Sequence, residues 1–233
     1  MRKSVIAGCL LCLVASSAFA TLSKDEVKRF EESAAILNDL RSMPDKGIPQ
    51  NLWDRAECVI VIPNMKKAAF VVGGEYGSGV MACRSTNGWS APVFMQLMKG
   101  SWGLQIGAEQ VDLVLLVMNR HGIDKLFDDK VSLGADVAVA AGPVGRSAAA
   151  ATDAKLSAQM LSYSRTQGLF AGIDLSGGVL HPDKQADTRA YGEKVHARQV
   201  INGSTPVRSP SAARPFLDAL GHYGAHVPPA KRS

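Results

Sequence analysis

The chain has 233 residues, 46% of them hydrophobic and 20% charged, with 26 basic against 21 acidic side chains. That length supports one sizeable core and favours a single domain. The excess of positive charge permits attraction to anionic surfaces without demanding it, and beyond the first twenty residues no run of eighteen uncharged apolar residues offers a membrane-spanning helix.

Residues 1–20 carry a basic start, Arg2 and Lys3, an apolar core from Val5 to about Ala15, and Ala18-Phe19-Ala20 at the end. This is the pattern of a signal peptide, so the mature chain is expected to start at Thr21 and to be exported, periplasmic or envelope-associated. A competing lipoprotein reading rests on Ile6-Ala7-Gly8-Cys9, which places Cys9 too close to Lys3 for a full export core. Without Arg2 and Lys3 the balance falls to 24 basic residues against 21 acidic ones.

Ser23-Lys24-Asp25-Glu26 is a capping box, and Val27, Phe30, Ala34, Leu37 and Leu40 follow at helical spacing. Pro44 and Gly47 end that helix, and a short second one begins at Pro49 with Leu52 and Trp53. Strand-like runs then dominate: 58–62, 68–73 and 79–84 as a meander around glycine-rich bends, and further runs through 89–97, 103–110 and 111–119. Asn87-Gly88 signals a hairpin, 120–129 a short helix or turn, and 131–142 another alternating run. Residues 163–180 read as a strand pair broken by Gly168 and Gly172, and from Pro182 the pattern is helical up to Tyr223. The fold class that follows is α+β: a mostly antiparallel, glycine-rich or barrel-like sheet flanked by short helices, one domain over 21–224, with 225–233 a flexible tail.

Two cysteines, Cys58 and Cys83, remain in the mature chain. Export invites a disulfide between them. A simple meander would instead put them at opposite strand ends, beyond bridging distance. Both readings stay open on the sequence.

No enzyme signature is present. "AAGPVGRS" (140–147) lacks the glycine spacing and the lysine of a P-loop; its glycines and Pro143 read as backbone architecture, with Arg146 a possible phosphate contact. Ser78 and Ser176 lack the Gly-x-Ser-x-Gly elbow. His121, His181, His196, His222 and His226 have no metal-ligand spacing, and Asp128, Asp129, Asp136, Asp153 and Asp174 are scattered. Neither a cofactor nor a metal is expected, and no nucleic-acid partner. The positive lead is basic: Lys24, Lys28 and Arg29 on the first helix and Lys66-Lys67 after "VIPNM". A basic amphipathic helix can lie on an anionic membrane, although Glu31 and Glu32 dilute the charge and an ordinary surface helix explains the same pattern.

Five phrases in order, "AAFVVGGEYGSGVMACR", "GWSAPVFMQL", "GLQIGAEQVDLVLL", "LGADVAVAAGPVGR" and "YSRTQGLFAGIDLSGGVL", resemble the SYLF domain family, and "AYGEKVHARQVINGSTPV" resembles its closing segment. The likeness covers roughly 26–221. The family includes yeast actin-binding domains and exported bacterial proteins. It implies a lipid-binding module without catalysis, whose eukaryotic members bind phosphoinositides and in some cases actin. For this chain the resemblance implies an anionic phospholipid partner, which the basic residues Lys24, Lys28, Arg29, Lys66, Lys67 and Arg146 are expected to meet; the alternative is a structural domain with a protein partner in the envelope or host, including actin-like binding.

Overall fold

A computed structural model describes residues 21–43, 47–86, 88–127, 130–145, 158–166 and 168–223, with only the backbone of 67–72 and 101–109. Its central feature is a two-stranded antiparallel ribbon. Strand β1, Cys58–Ser85, pairs with β3, Val93–Val117, from Cys58↔Val117 to Met81↔Val93, with register shifts only between Ile62 and Met65 and between Ala69 and Val71. The short β2, Gly88–Trp89, folds back on Arg84 and Ser85.

The separate short strands expected over 58–84 and 89–119 are therefore two long ones. The glycines that suggested bends stay extended and serve close approach instead. A Cβ on Gly79 would overlap the Val61 carbonyl, and one on Gly77 would press into Ile62, so only glycine lets the two limbs of β1 lie backbone to backbone. The ribbon curls as a result. A straight strand would hold Cys58 and Cys83 about 80 Å apart, yet their Cα atoms are 3.9 Å apart and their sulfurs are bonded. The Arg84 amide donates to the Glu57 carbonyl at 2.7 Å beside them. Part of the curvature enters inside the first register shift at Asn64, which among the described residues is the non-glycine with positive φ (51°). Asparagine tolerates that conformation, and its amide is held by Asp112 Oδ1 at 2.9 Å.

The rest of the sheet hangs on β3. Strand β6, Met160–Thr166, pairs with its distal limb (112–117), and β8, Gly178–Pro182, with its proximal limb (95–99). Strand β4, Val131–Ser132, extends β8; β7, Leu169–Gly172, extends β6; and β5, Val139–Ala141, joins β6 in the parallel pairing of this otherwise antiparallel sheet. The product is a curled half-barrel with helices on both faces.

Burial on both faces explains the continuous apolar run at 113–117, which alternation alone would not produce. Val59, Val61, Val80, Phe94, Val114 and Leu116 join one cluster, while Ile60, Ile62, Met81, Met95, Leu113 and Leu115 join the other. The first face is covered by α1, Lys24–Arg41, by α2, Gln50–Arg55, and by a 3-10 turn leading into the last helix, Arg214–Gly221. Phe30 packs on Phe94 at 5.1 Å and on Phe216 at 6.3 Å between ring centroids, and Trp53 stacks on Tyr223 at 4.0 Å. The second face carries α3, Arg120–Leu126, and a five-residue helix, Ala197–Ile201, while a further helix, Lys184–Tyr191, lies against the start of β3. In chain order these last three helices after α3 are α4 (Lys184–Tyr191), α5 (Ala197–Ile201) and α6 (Arg214–Gly221).

The segment Gly142–Gly145 is architecture. Gly142 donates to the Ser162 carbonyl at 3.0 Å, and a Cβ there would run into the Tyr163 ring. Gly145, at φ 64°, donates to the Gly47 carbonyl at 3.0 Å. Arg146, the leader 1–20, Asn87, Pro44 and the tail 225–233 lie outside the described residues.

Candidate functional site

The basic residues singled out in the sequence divide into two groups. On α1, Lys24 is exposed and Lys28 pairs with Glu32 one turn on at 3.4 Å. Arg29 is turned inward: its guanidinium donates to Asp183 Oδ2 at 2.8 Å and lies 5.7 Å from the centroid of the Phe94 ring. Lys66 is exposed on β1, its backbone opposite Gln110, and the Lys67 backbone lies opposite Glu109.

The ribbon also carries an apolar patch that the sequence reading passed over. Tyr76 and Met98 are Cα partners across β1 and β3 and remain 45% and 41% exposed, far above any core residue. Val179 on β8 is paired with Met98 and continues the row. Together with Gly74 and Gly100 they floor a groove of about 610 Å³ that Lys99, Lys130 and Glu75, the Cα partner of Lys99, also line. Lys99 Nζ donates to the Asp174 carbonyl at 3.0 Å, and the Ser78 hydroxyl donates to Tyr76 Oη at 2.9 Å. The glycines keep the floor low, and large side chains on either strand would fill the groove.

Strand alternation fixes which face this is. Phe94, Gln96 and Met98 point the same way, and Phe94 is covered by Phe30 of α1. Four residues, about 13 Å, further along β3, the same face emerges uncovered at Met98. The patch is the continuation of the α1-covered face, beyond the reach of the helix. The signal available in the sequence was the placing of single large apolar residues within "GGEYGSG" and "LMKGSWG", beside lysine.

A second polar constellation lies where α1 meets α4. Glu26, Asp183 and Asp187 are all at most 6% exposed. Glu26 accepts from Arg189 Nε at 2.7 Å while its other oxygen accepts from the Ser23 amide at 2.7 Å, so the expected capping box also anchors α4. Burial opposes its ionisation, but the Arg189 and Ser23 hydrogen bonds outweigh that and hold its carboxyl below the usual range. Asp183 behaves likewise: burial is outweighed by Arg29 and by the Ala186 amide, to which it is the N-cap of α4. Asp187 goes the other way. Burial pushes its carboxyl up to about 7, against the Phe94 amide bond and with Asp183 adding like charge.

Among the described residues no three His, Cys, Asp or Glu side chains stand together in a way that holds a metal ion, and no helix is long and apolar enough to cross a membrane. Asp174 is occupied in its own turn, accepting from the Ser176 amide and hydroxyl at 2.8 and 2.6 Å. His181 has its ring Nδ1 3.2 Å from the Pro182 carbonyl.

Comparison with known proteins bears on the whole assembly. The family model described as Ysc84, Las17-binding protein actin regulator, matches residues 98–223, from the proximal limb of β3 through α6. LAS seventeen-binding protein 3 of Saccharomyces cerevisiae is 34% identical over 181 residues, 76% of this chain and 39% of the yeast protein. The human SH3 domain-containing YSC84-like protein 1 is 30% identical over 207 residues, 86% of this chain and 59% of its own length. The chain thus spans from two fifths to three fifths of the length of these relatives, and the match runs across both faces of the half-barrel. The chain belongs to the Ysc84, or SYLF, family.

Proposed function

We propose that this protein is a non-catalytic module that docks on anionic phospholipid surfaces through the β1–β3 ribbon. The observation that carries the reading is the Tyr76–Met98 pair, exposed where the α1-covered sheet face emerges, in a groove lined by Lys99 and Lys130 with Glu75 beside them. Apolar side chains that stand out beside cations suit the boundary between headgroups and acyl chains, and each lysine near an anionic leaflet contributes about 1 kcal/mol of attraction. Lys66 on the same ribbon and Lys24 and Lys28 on α1 add to the field, whereas Arg29 is committed to Asp183. The leader-like residues 1–20 support an exported, envelope-associated setting for this docking.

The test is co-sedimentation of residues 21–233 with vesicles of neutral lipid alone and with added phosphatidylglycerol, at low and high salt. The reading expects binding to the anionic vesicles that weakens with salt. Binding to neither kind, or binding indifferent to charge, overturns it.

A second reading has its own support. The matched family description and the name of the yeast relative both refer to binding of Las17, a protein partner. On that reading the same groove would take an apolar side chain of a partner protein. Capture of a purified partner by the ribbon, with no response to vesicles, would favour it.

A further inference from the structure

We infer that the cleft between the first turn of α1 and the start of α6 binds the anion of a single-chain fatty acid. Arg208 and Arg214 hold its carboxylate, and its chain lies against Leu22, Val27 and Leu217. None of these residues takes part in the docking proposed for the ribbon. The apolar stripe of α1 is longer than the protein covers. Phe30, Ala34, Leu37 and Leu40 are at most 5% exposed, but Val27, three residues before Phe30, is only half-buried. The last helix repeats the pattern: Phe216, Ala219 and Leu220 are buried, and Leu217 is left half-buried. Val27 and Leu217 line one cavity of about 810 Å³, with Leu22 and Ala190 of α4 beside them. Leu22, Ala190 and Leu217 pack against the core that α1 covers, so this wall is an outer edge of that core left open.

Arg208 and Arg214 line the same cavity. Both are exposed, and neither makes a hydrogen bond or an ion pair with a described residue. Asp218 also lines it, one turn after Arg214 on α6 and not paired with it. Two guanidiniums against one carboxylate leave the cleft net positive. A guanidinium can grip a carboxylate through two parallel N–H bonds, and a chain laid on the wall removes apolar surface from water. The volume lies within the range of small-molecule sites. Among the described residues that line the cleft none belongs to a strand, so a peptide finds no sheet edge to extend there. An alkyl chain asks for no hydrogen bonds, and its one charged end matches the two arginines.

The experiment follows the Leu22, Val27 and Leu217 amides in proton–nitrogen correlation spectra of the purified protein at neutral pH during titration with sodium octanoate. Sodium acetate has the charge without the chain, and octylammonium chloride has the chain with the opposite charge. Dihexanoylphosphatidylglycerol is the diacyl lipid control. The expected result is a saturable shift of the three amides with octanoate, none with acetate or octylammonium, and affinity for the diacyl lipid at least about tenfold weaker. Hexanoate, two methylenes shorter, should bind about fivefold more weakly in a cleft that covers part of the chain. The double variant Arg208→Gln, Arg214→Gln should lose about tenfold in octanoate affinity. Unmoved cleft amides, an equal response to acetate or octylammonium, or a diacyl lipid bound as tightly as octanoate each overturns the assignment. So do shifts confined to Tyr76 and Met98, or an unchanged affinity in the double variant. Vesicle docking through the ribbon is read separately at Tyr76 and Met98, so either proposal can fail without the other. The comparison among ligands on the native protein decides the matter even if the variant does not fold.

Discussion

Asp187 sets how the buried cluster responds to pH, because it departs from its neighbours in sign. Its folded carboxyl titrates at about 7 against an ordinary 3.8, so the folded state holds the proton more tightly. The resulting stabilisation is full below the ordinary value and is lost as pH rises towards 7. Glu26 and Asp183 are held below the usual range; their contribution is present at neutral pH and is lost as pH falls through those lowered values. Asp187→Asn keeps the Phe94 hydrogen bond and removes the buried charge. It is therefore expected to raise stability at pH 8 by about 2 kcal/mol, roughly half the linkage value after the residual polar cost of the amide, with the gain shrinking towards pH 4. Thermal unfolding of both proteins across that range checks it; a variant less stable at pH 8 than at pH 5, relative to the parent, contradicts the account. Gly142 gives the other prediction at this scale. A methyl group there meets the Tyr163 ring, which is fully buried, and Gly142→Ala should cost about 2 kcal/mol or more through overpacking, measured as a lowered denaturant midpoint.

At the level of elements, α1 was legible in the sequence because its signals are local. Ser23 and Glu26 cap it, and Phe30, Ala34, Leu37 and Leu40 are buried as their spacing predicts. The ribbon was legible only in composition. Gly77 and Gly79 look like turn residues until the second limb of β1 is placed against Ile62 and Val61, and no local pattern encodes that contact. The same holds for Asp187, whose burial depends on a strand 93 positions away, and for the groove, which exists because α1 ends its coverage before Met98. The functional half of this observation is testable at the same scale. Replacing Tyr76 and Met98 together by serine removes the apolar contact while leaving the lysines. Lys99→Glu with Lys130→Glu does the reverse. Each pair should weaken binding to phosphatidylglycerol vesicles about tenfold, but only the lysine pair should also flatten the dependence on salt. Unchanged binding in both would remove the groove from the docking surface.

At the scale of the whole molecule, closure is what turns a ribbon into a domain. The Cys58–Cys83 bond joins the two limbs of β1 across 25 residues, beside the Arg84 guanidinium, which donates to the Trp53 and Ala56 carbonyls at 2.8 and 2.9 Å. A loop of that length is worth about 3 kcal/mol by chain entropy, so the Cys58→Ala, Cys83→Ala protein should unfold at correspondingly lower denaturant while keeping its native spectrum. The second closure joins the ends of the chain: the Tyr223 hydroxyl donates to the Leu37 carbonyl and its ring stacks on Trp53. Residues 98–223, the span that matches the family model, contain neither cysteine of the first closure and hold Tyr223 without Leu37 and Trp53 of the second. They also leave β3 without β1, its antiparallel neighbour over nearly its whole length, and without α1 and α2 over the face that carries Val114 and Leu116. An edge so long and apolar favours aggregation over folding. Residues 98–223 expressed alone should therefore fail to give a dispersed amide spectrum, whereas residues 21–223 should give one. A folded 98–223 fragment would mean that β6 and β8 alone stabilise β3, and that the ribbon is an addition to the domain rather than its frame.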